Sequence, residues 1–173
     1  RALPFVGLGV FALFCLLSAF KLGKPVHIPT RAMSPTVMAD DQIYMEGLTY
    51  LFREPRRGEI VCFQTKGIGS LDSHPNTGGQ NIWFIKRLIG LPGDVVEISG
   101  ESVLVNGEVL EVVSGFTYGT SESYQVPEDG YFVLGDNGVN SLDSRHFGAV
   151  TQQNLHGRAI LRYWPPNRMG AID

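Results

Sequence analysis

From Leu3 to Phe20 the chain runs 18 residues without a charge, LPFVGLGVFALFCLLSAF, bounded by Arg1 and by Lys21 and Lys24. A helix of that length covers roughly 27 Å, close to the hydrocarbon thickness of a bilayer, so residues 1–24 are predicted to be a membrane anchor. A cleavable secretory signal and a core helix compete with that reading, but Ser18-Ala19-Phe20-Lys21 is a poor match to a cleavage site of small residues. Counted literally, more Lys and Arg follow the stretch than precede it, which would put the remainder in the cytoplasm. Beyond Pro25 the apolar residues come in runs of four to six, broken by Gly, Pro, Asn and Asp, with no sustained helical period. Strands are predicted at Gln42–Glu46, Glu59–Gln64, Asn81–Ile89, Val95–Ile98, Ser102–Val105, Val109–Val113, Tyr131–Leu134 and Ala159–Tyr163. Asn106-Gly107 between VLV and EVL predicts a hairpin, because both residues take the positive φ of a type I′ turn. Gly67–Gln80 has no apolar pattern and reads as a surface loop.

Composition narrows the choice of partners. A formal charge of −3 on 173 residues excludes tracking a nucleic-acid backbone by electrostatics. Cys15 and Cys62 offer neither a disulfide framework nor zinc-ligand spacing. His27, His74, His146 and His156 likewise lack ligand spacing, so no metal and no cofactor are expected. Asp40-Asp41 reads as a loop leading into a strand rather than a cation site.

Candidate chemistry begins at NIWFIKRLI. On a strand, Phe84, Lys86 and Leu88 share one face, and Trp83, Ile85, Arg87 and Ile89 the other. Lys86 is therefore flanked by apolar side chains. Two readings stay open: the amine is buried and its pKa falls toward neutrality, making it a general base, or the stem lies on the sheet with the amine in water.

Two further segments decide between them: Ile28–Asp41, IPTRAMSPTVMADD, and Gly135–Gly148, GDNGVNSLDSRHFG. With Lys86–Asp94, KRLIGLPGD, they resemble the ordered motifs of type I signal peptidases, membrane-bound Ser/Lys proteases that remove signal peptides from exported proteins. The family shows S-M-x-P-T, then K-R-[VI]-I-G-x-P-G-D, then G-D-N-x-x-x-S-x-D-S-R. The three blocks stand in that order after the apolar stretch, and the match runs from Leu3 to about Pro166. The ending Arg162-Tyr163-Trp164-Pro165-Pro166 resembles the cyanobacterial and plastid branch. The resemblance implies one N-terminal transmembrane helix and, over residues 25–173, a mainly β catalytic domain of antiparallel, coiled and partly open sheet.

One departure carries weight. Where the family has its nucleophilic serine this chain has Ala32, and a methyl group cannot attack a carbonyl. A natural pseudoprotease that binds signal peptides without cutting them would explain Ala32, and so would an engineered Ser-to-Ala change. The presence of Lys86, Ser141, Asp143 and Arg145 favours the second. Ser34, two residues late for the motif, is a rival nucleophile. The resemblance further implies that a hydroxyl at position 32 attacks while neutral Lys86 takes its proton, that Thr30 and the backbone N–H of residue 32 hold the oxyanion, that Ser141 orients the lysine amine, and that Asp143 and Arg145 form a supporting ion pair. Read alone, GDNGVNSLDSR is a polar turn, and an i, i+2 pair on a strand would place Asp143 and Arg145 on one face.

Eleven residues past Lys21, position 32 lies within roughly 40 Å of the membrane boundary even with the chain fully extended. By resemblance the partners are the lipid bilayer and preprotein signal peptides cut after Ala-x-Ala sites, and Ile28, Met33, Val37 and Ile85 line the shallow apolar subsites or else serve as core. The family places its catalytic domain on the periplasmic or lumenal side, which overrides the charge count. Two readings from other classes remain: a soluble Ser/Lys self-cleaving regulator, which would need a DNA-binding segment where the uncharged stretch stands, and a tethered structural β domain, which leaves the three motifs unexplained.

Overall fold

The computed structural model describes residues 23–172, apart from 73, 76 and 111–120. The expected anchor lies, up to residue 22, outside the described residues; its boundary at residue 24 is corrected, because Gly23 and Lys24 already pair in a strand with Glu46 and Met45. Among the described residues no helix is long and apolar enough to cross a membrane.

In chain order the strands are β1 (Gly23–His27), β2 (Gln42–Glu46), β3 (Ile60–Gln64), β4 (Trp83–Gly90), β5 (Val95–Ser99), β6 (Ser102–Val105), β7 (Glu108–Val109), β8 (Glu122–Gln125), β9 (Gly130–Leu134), β10 (Val150–Thr151), β11 (Leu155–Trp164) and β12 (Gly170–Ala171). Eight of them form one sheet in the order β1-β2-β11-β3-β4-β9-β10, with β12 on the side of β11. The other four form a smaller sheet, β7-β6-β5-β8. Every pairing is antiparallel, as the sequence predicts.

Alternation along the strands sorts the core. One face of the large sheet packs Ile43 and Met45 of β2, Ile60 and Cys62 of β3, Ile85 of β4 and Ala159 of β11 into one cluster, roofed by Ile28, Met33 and Val37. The opposite face packs Val61, Phe63, Leu88, Val133 and Phe147. Ile89, Val96, Phe132 and Leu134 join the two sheets. The predicted hairpin forms between β6 and β7, with Asn106 at φ 54° and Gly107 at φ 82°.

Three further expectations need correction. Ala159–Tyr163 is the middle of a longer strand, whose first half carries Gly157 in a bulge against β3; the glycine belongs there because a Cβ would meet the Glu46 backbone. Gly67–Gln80 is not only a surface loop. It contains the helical turn α1 (Gly69–Asp72), and Ile68 and Leu71 are buried in the core. Of the strand predicted over Val109–Val113 only the first residue is in a described strand, and residues 111–113 lie outside the described residues.

β4 pairs with β3 from Trp83 to Arg87 but with β9 only from Arg87 onward. Its edge from Trp83 to Lys86 is therefore not covered by β9. At the point where the pairing begins, Arg87 sends its guanidinium into the protein and forms a two-pronged pair with Asp136, Nε to Oδ1 at 2.8 Å and Nη2 to Oδ2 at 2.7 Å, while Nη1 donates to the Gly58 carbonyl at 2.7 Å. The Thr36 hydroxyl donates to the same carboxylate at 2.5 Å. Removing one member of a buried pair strands the other charge, which costs about 3–5 kcal/mol. Asp136→Ala is accordingly expected to lower unfolding stability by about that amount, read by urea denaturation with tryptophan fluorescence; a loss under about 1 kcal/mol, as for an exposed pair, would contradict the assignment.

Candidate active site

The segment from Ile28 to Asp41 is a closed loop. The Ile28 N–H donates to the Asp41 carbonyl at 3.0 Å, and the Asp40 N–H to the Ile28 carbonyl at 2.7 Å. Asp41, nearly inaccessible, accepts from the Met38 N–H at 2.8 Å and from Arg168 at 3.0 Å. Its carboxylate thus clamps the loop to the chain's C-terminal end. Met33 and Val37 point into the core and are sealed from solvent, so the expectation that they line a substrate subsite is corrected: their volume fixes the loop in place. Ser34 does not line the cleft described below, and its buried hydroxyl has no hydrogen-bond partner among the described residues.

Ala32 lies on this loop facing the third motif. Its carbonyl accepts from the Asn137 N–H at 3.0 Å, and the Asn137 side chain donates to the Arg31 carbonyl at 3.1 Å. The approach is tight because position 135 is glycine: a Cβ there would lie 2.6 Å from the Ala32 carbonyl oxygen and 2.5 Å from Cβ of Ser141. Gly135 and Asn137 were quoted in the motif, yet nothing in the pattern of apolar and polar residues gives them this task.

Lys86 settles the choice left open by its strand. Only 5% of it is exposed, so it does not lie along the surface with its amine in water. Nζ donates to the Ile85 carbonyl at 3.0 Å and sits 4.9 Å from the centroid of the Phe84 ring. Burial pushes its pKa down to about 8, against an opposing pull from the Asp143 and Asp136 carboxylates. A sizeable fraction of the amine is therefore neutral at pH 7–8, which a general base requires.

The expected bond from Ser141 to this amine is not made. The Ser141 hydroxyl is buried without a hydrogen-bond partner among the described residues, and the amine's hydrogen bond goes to Ile85 instead. Asp143 and Arg145 do pair, Nε to Oδ1 at 2.8 Å and Nη2 to Oδ2 at 2.9 Å. Their geometry differs from the strand alternation: Asp143 is the N-cap of the helical turn α2 (Ser144–Phe147), in a capping box with His146, and Arg145 lies inside that turn. Asp143 also accepts from the Gly135 N–H at 3.0 Å, and Arg145 reaches the Gly138 carbonyl at 2.7 Å. The pair thereby closes the 135–143 loop over which Ala32 is laid.

Between the loop and the uncovered edge of β4 runs a cleft of about 650 Å³. Thr30, Ala32 and Lys86 line one end together with Asn140 and Leu142; Ile28 and Ile85 form its walls, and Val26, Met45, Cys62 and Trp83 continue it away from the lysine. The structure thus brings together Thr30, Ala32, Lys86, Ile28 and Ile85, keeps Ser141, Asp143 and Arg145 behind them, and leaves Met33 and Val37 outside. The lining is predominantly apolar, and burial raises the Cys62 thiol pKa well above its ordinary value, so it carries no thiolate. Among the described residues, no three His, Cys, Asp or Glu side chains gather as a metal site would need.

Comparison with known proteins places the chain in a family. Residues 4–164 match the family described as signal peptidase, peptidase S26. A signal peptidase I of Leptolyngbya laminosa is 41% identical over 84% of this chain and 71% of its own length. A probable signal peptidase I-2 of Synechocystis sp. is 40% identical over 84% of this chain and 65% of its own. The chloroplastic thylakoidal processing peptidase 1 of Arabidopsis thaliana is 37% identical over 86% of this chain and 44% of its own. The chain thus spans about two thirds of the two bacterial relatives and under half of the plant one.

Two measurements test the site's physics without any substrate. Gly135→Ala is expected to cost about 1–3 kcal/mol, the usual penalty of overpacking, since neither the Ala32 carbonyl nor Ser141 can retreat without losing its place; an unchanged unfolding midpoint would show the approach to be slack. For Lys86 the sign follows from its lowered pKa. The folded state loses its proton near pH 8 and the unfolded state near 10.4, so stability rises with pH across that interval. Lys86→Met should therefore raise the melting temperature at pH 6–7, with the gain shrinking as pH approaches 10; an equal shift at both ends would remove desolvation as the cause.

Proposed function

Because the chain belongs to the signal peptidase, peptidase S26, family, we propose that its fold is that of a membrane-bound serine endopeptidase which removes N-terminal signal peptides from exported preproteins, and that the present chain is held inactive by alanine at position 32. The observation that carries this reading is a buried lysine with a lowered pKa opening on the same cleft as position 32. With serine there, Oγ attacks the scissile carbonyl carbon and passes its proton to neutral Lys86. The oxyanion is held by the backbone N–H of residue 32 and by the Thr30 hydroxyl, which stands exposed at the cleft mouth. As the carbon–nitrogen bond breaks, the lysine gives that proton to the leaving amine. Water then hydrolyses the acyl-enzyme by the same route, with Lys86 again the base. Ser141 is a positioning residue: a buried hydroxyl with no partner costs about 1–3 kcal/mol, and a bond to the amine as it turns toward position 32 would recover this.

The substrate reading rests on the cleft walls. Ile28 and Ile85 are apolar and leave shallow space, which suits the small side chains of an Ala-x-Ala site. Segments 26–30 and 82–86 flank the cleft, so a peptide held between them would lie extended, bonded through its main chain. An anchor lying before β1 would keep the site beside a plasma or thylakoid membrane, with the β domain that begins at Gly23 on the periplasmic or lumenal side.

The test is cleavage of a preprotein with an Ala-x-Ala site in detergent. Ala32→Ser should raise the rate by on the order of 10⁴-fold or more, the scale lost when such a nucleophile is removed, and Lys86→Met in that background should return it to baseline. The kcat/KM of Ala32→Ser should climb as pH rises through about 8 and then level off, because the neutral amine is the working form. No gain on restoring serine, with signal peptide still bound, would instead identify a pseudoprotease that holds signal peptides without cutting them.

A further inference from the structure

Trp83, which lines the cleft, makes a contact that none of the chemistry above uses. Lys24 of β1 places Nζ 3.1 Å from the centroid of the Trp83 ring of β4, and Trp83 packs against His156 at 4.9 Å between centroids. β1 and β4 are not neighbours: β2, β11 and β3 separate them in the sheet. The contact therefore spans the concave face. Register explains how: Lys24 lies opposite Met45, Val26 opposite Ile43 and Cys62 opposite Ile85, and of the contacting pair Trp83 lines the cleft while Lys24 stands two residues before Val26 of its lining.

Lys24 has no carboxylate partner among the described residues. Glu46, the nearest acid in register, is paired to Arg158 at 3.0 Å. What faces the ammonium is an aromatic ring, which balances the charge only in part, and the imidazole of His156 behind it. Trp83 is 37% exposed and lines the cleft, so a side chain lying over this end meets an indole face and an unpaired cation together.

Lys24 and Trp83 also stand where a substrate would enter. Lys24 is only four residues beyond the uncharged stretch of residues 3–20, so on the anchored reading it is the end of the cleft region nearest in sequence to the membrane. From Lys24 to Thr30 the chain advances six residues, about 20 Å at roughly 3.3 Å per residue. A peptide lying extended along it places its fifth or sixth residue before the cut over the Lys24–Trp83 pair.

Resting on the signal-peptidase reading of the same cleft, we propose that Lys24 and Trp83 are specificity-determining residues that read the fifth or sixth position before the cut, favouring an acidic side chain there and rejecting a basic one. The cation supplies the sign, and the indole supplies an apolar floor for the rest of the side chain.

The test is peptide binding to the full chain with Ala32 in place, in detergent, so that turnover plays no part. Signal-peptide fragments ending in Ala-x-Ala and continuing past the cut would carry Glu, Gln or Lys at the fifth or sixth position. Kd should rise in the order Glu, Gln, Lys, spanning about tenfold at low salt and narrowing at 0.5 M, as expected of a partly exposed charge. Lys24→Gln should compress the span to about twofold or less, and Lys24→Arg should preserve it. Equal affinities across the series, or a preference that survives Lys24→Gln, overturns the subsite. Cleavage of the Gln peptide by the Ala32→Ser version separates the two levels of argument: cutting with a flat binding series removes this subsite alone, whereas neither binding nor cutting removes the peptidase reading with it.

Discussion

A guanidinium buried against a carboxylate ties together the parts of this molecule that matter. Arg87 is adjacent in sequence to the lysine at the cleft, yet it points to the other face of β4 and there meets Asp136, Thr36 and the Gly58 carbonyl. Those contacts reach the 28–41 loop, the 135–143 loop and the start of β3. Arg162 of β11 then holds the Thr36 carbonyl at 2.8 Å. The three sequence blocks that stand far apart in the chain are thus one polar cluster in space. Without it Ala32 would have a loop but no fixed distance from Lys86. In this way a charge pair whose own contribution to stability is modest fixes a unique arrangement, the role for which buried ion pairs are best suited.

The lysine works by the opposite logic. Arg87 is paired with a carboxylate, whereas among the described residues Lys86 has no carboxylate in salt-bridge contact and its amine's hydrogen bond goes to its own neighbour's carbonyl. The mismatch is what lowers its pKa, and its cost falls on folding rather than on catalysis. Two cations next to one another on a strand, turned to opposite faces, are given opposite fates by what lies on each face.

Much of this was legible in the sequence. Period-two alternation in NIWFIKRLI sorts Lys86 from Arg87, and the Asn106-Gly107 pair marks its turn, because both are local consequences of backbone geometry. The short strands β8, β10 and β12 leave no trace in the sequence, since two to four residues paired to a longer neighbour have no period to detect, and β1 is hidden because GKPVH directly follows the apolar stretch and carries a proline at its centre. The roles of Met33 and Val37 could not be separated from those of Ile28 and Ile85, because apolar residues on a loop have no alternation to say which side faces the core. Asp143 and Arg145 do pair, but not through the strand alternation that their i, i+2 spacing allows: a capped helical turn also brings i and i+2 together when the first residue is its N-cap. The failure of Ser141 to reach the amine is invisible in sequence, where only identity and order are written.

β1 is five residues long, sits at the rim of the large sheet and has Pro25 at its centre. An open strand is a template for any extended chain, including a second copy of the same protein. Proline gives up its N–H, and so short a strand offers few donors to begin with. The rim is thereby a poor seed for polymerisation, and what keeps like edges apart is written into the backbone of β1 itself.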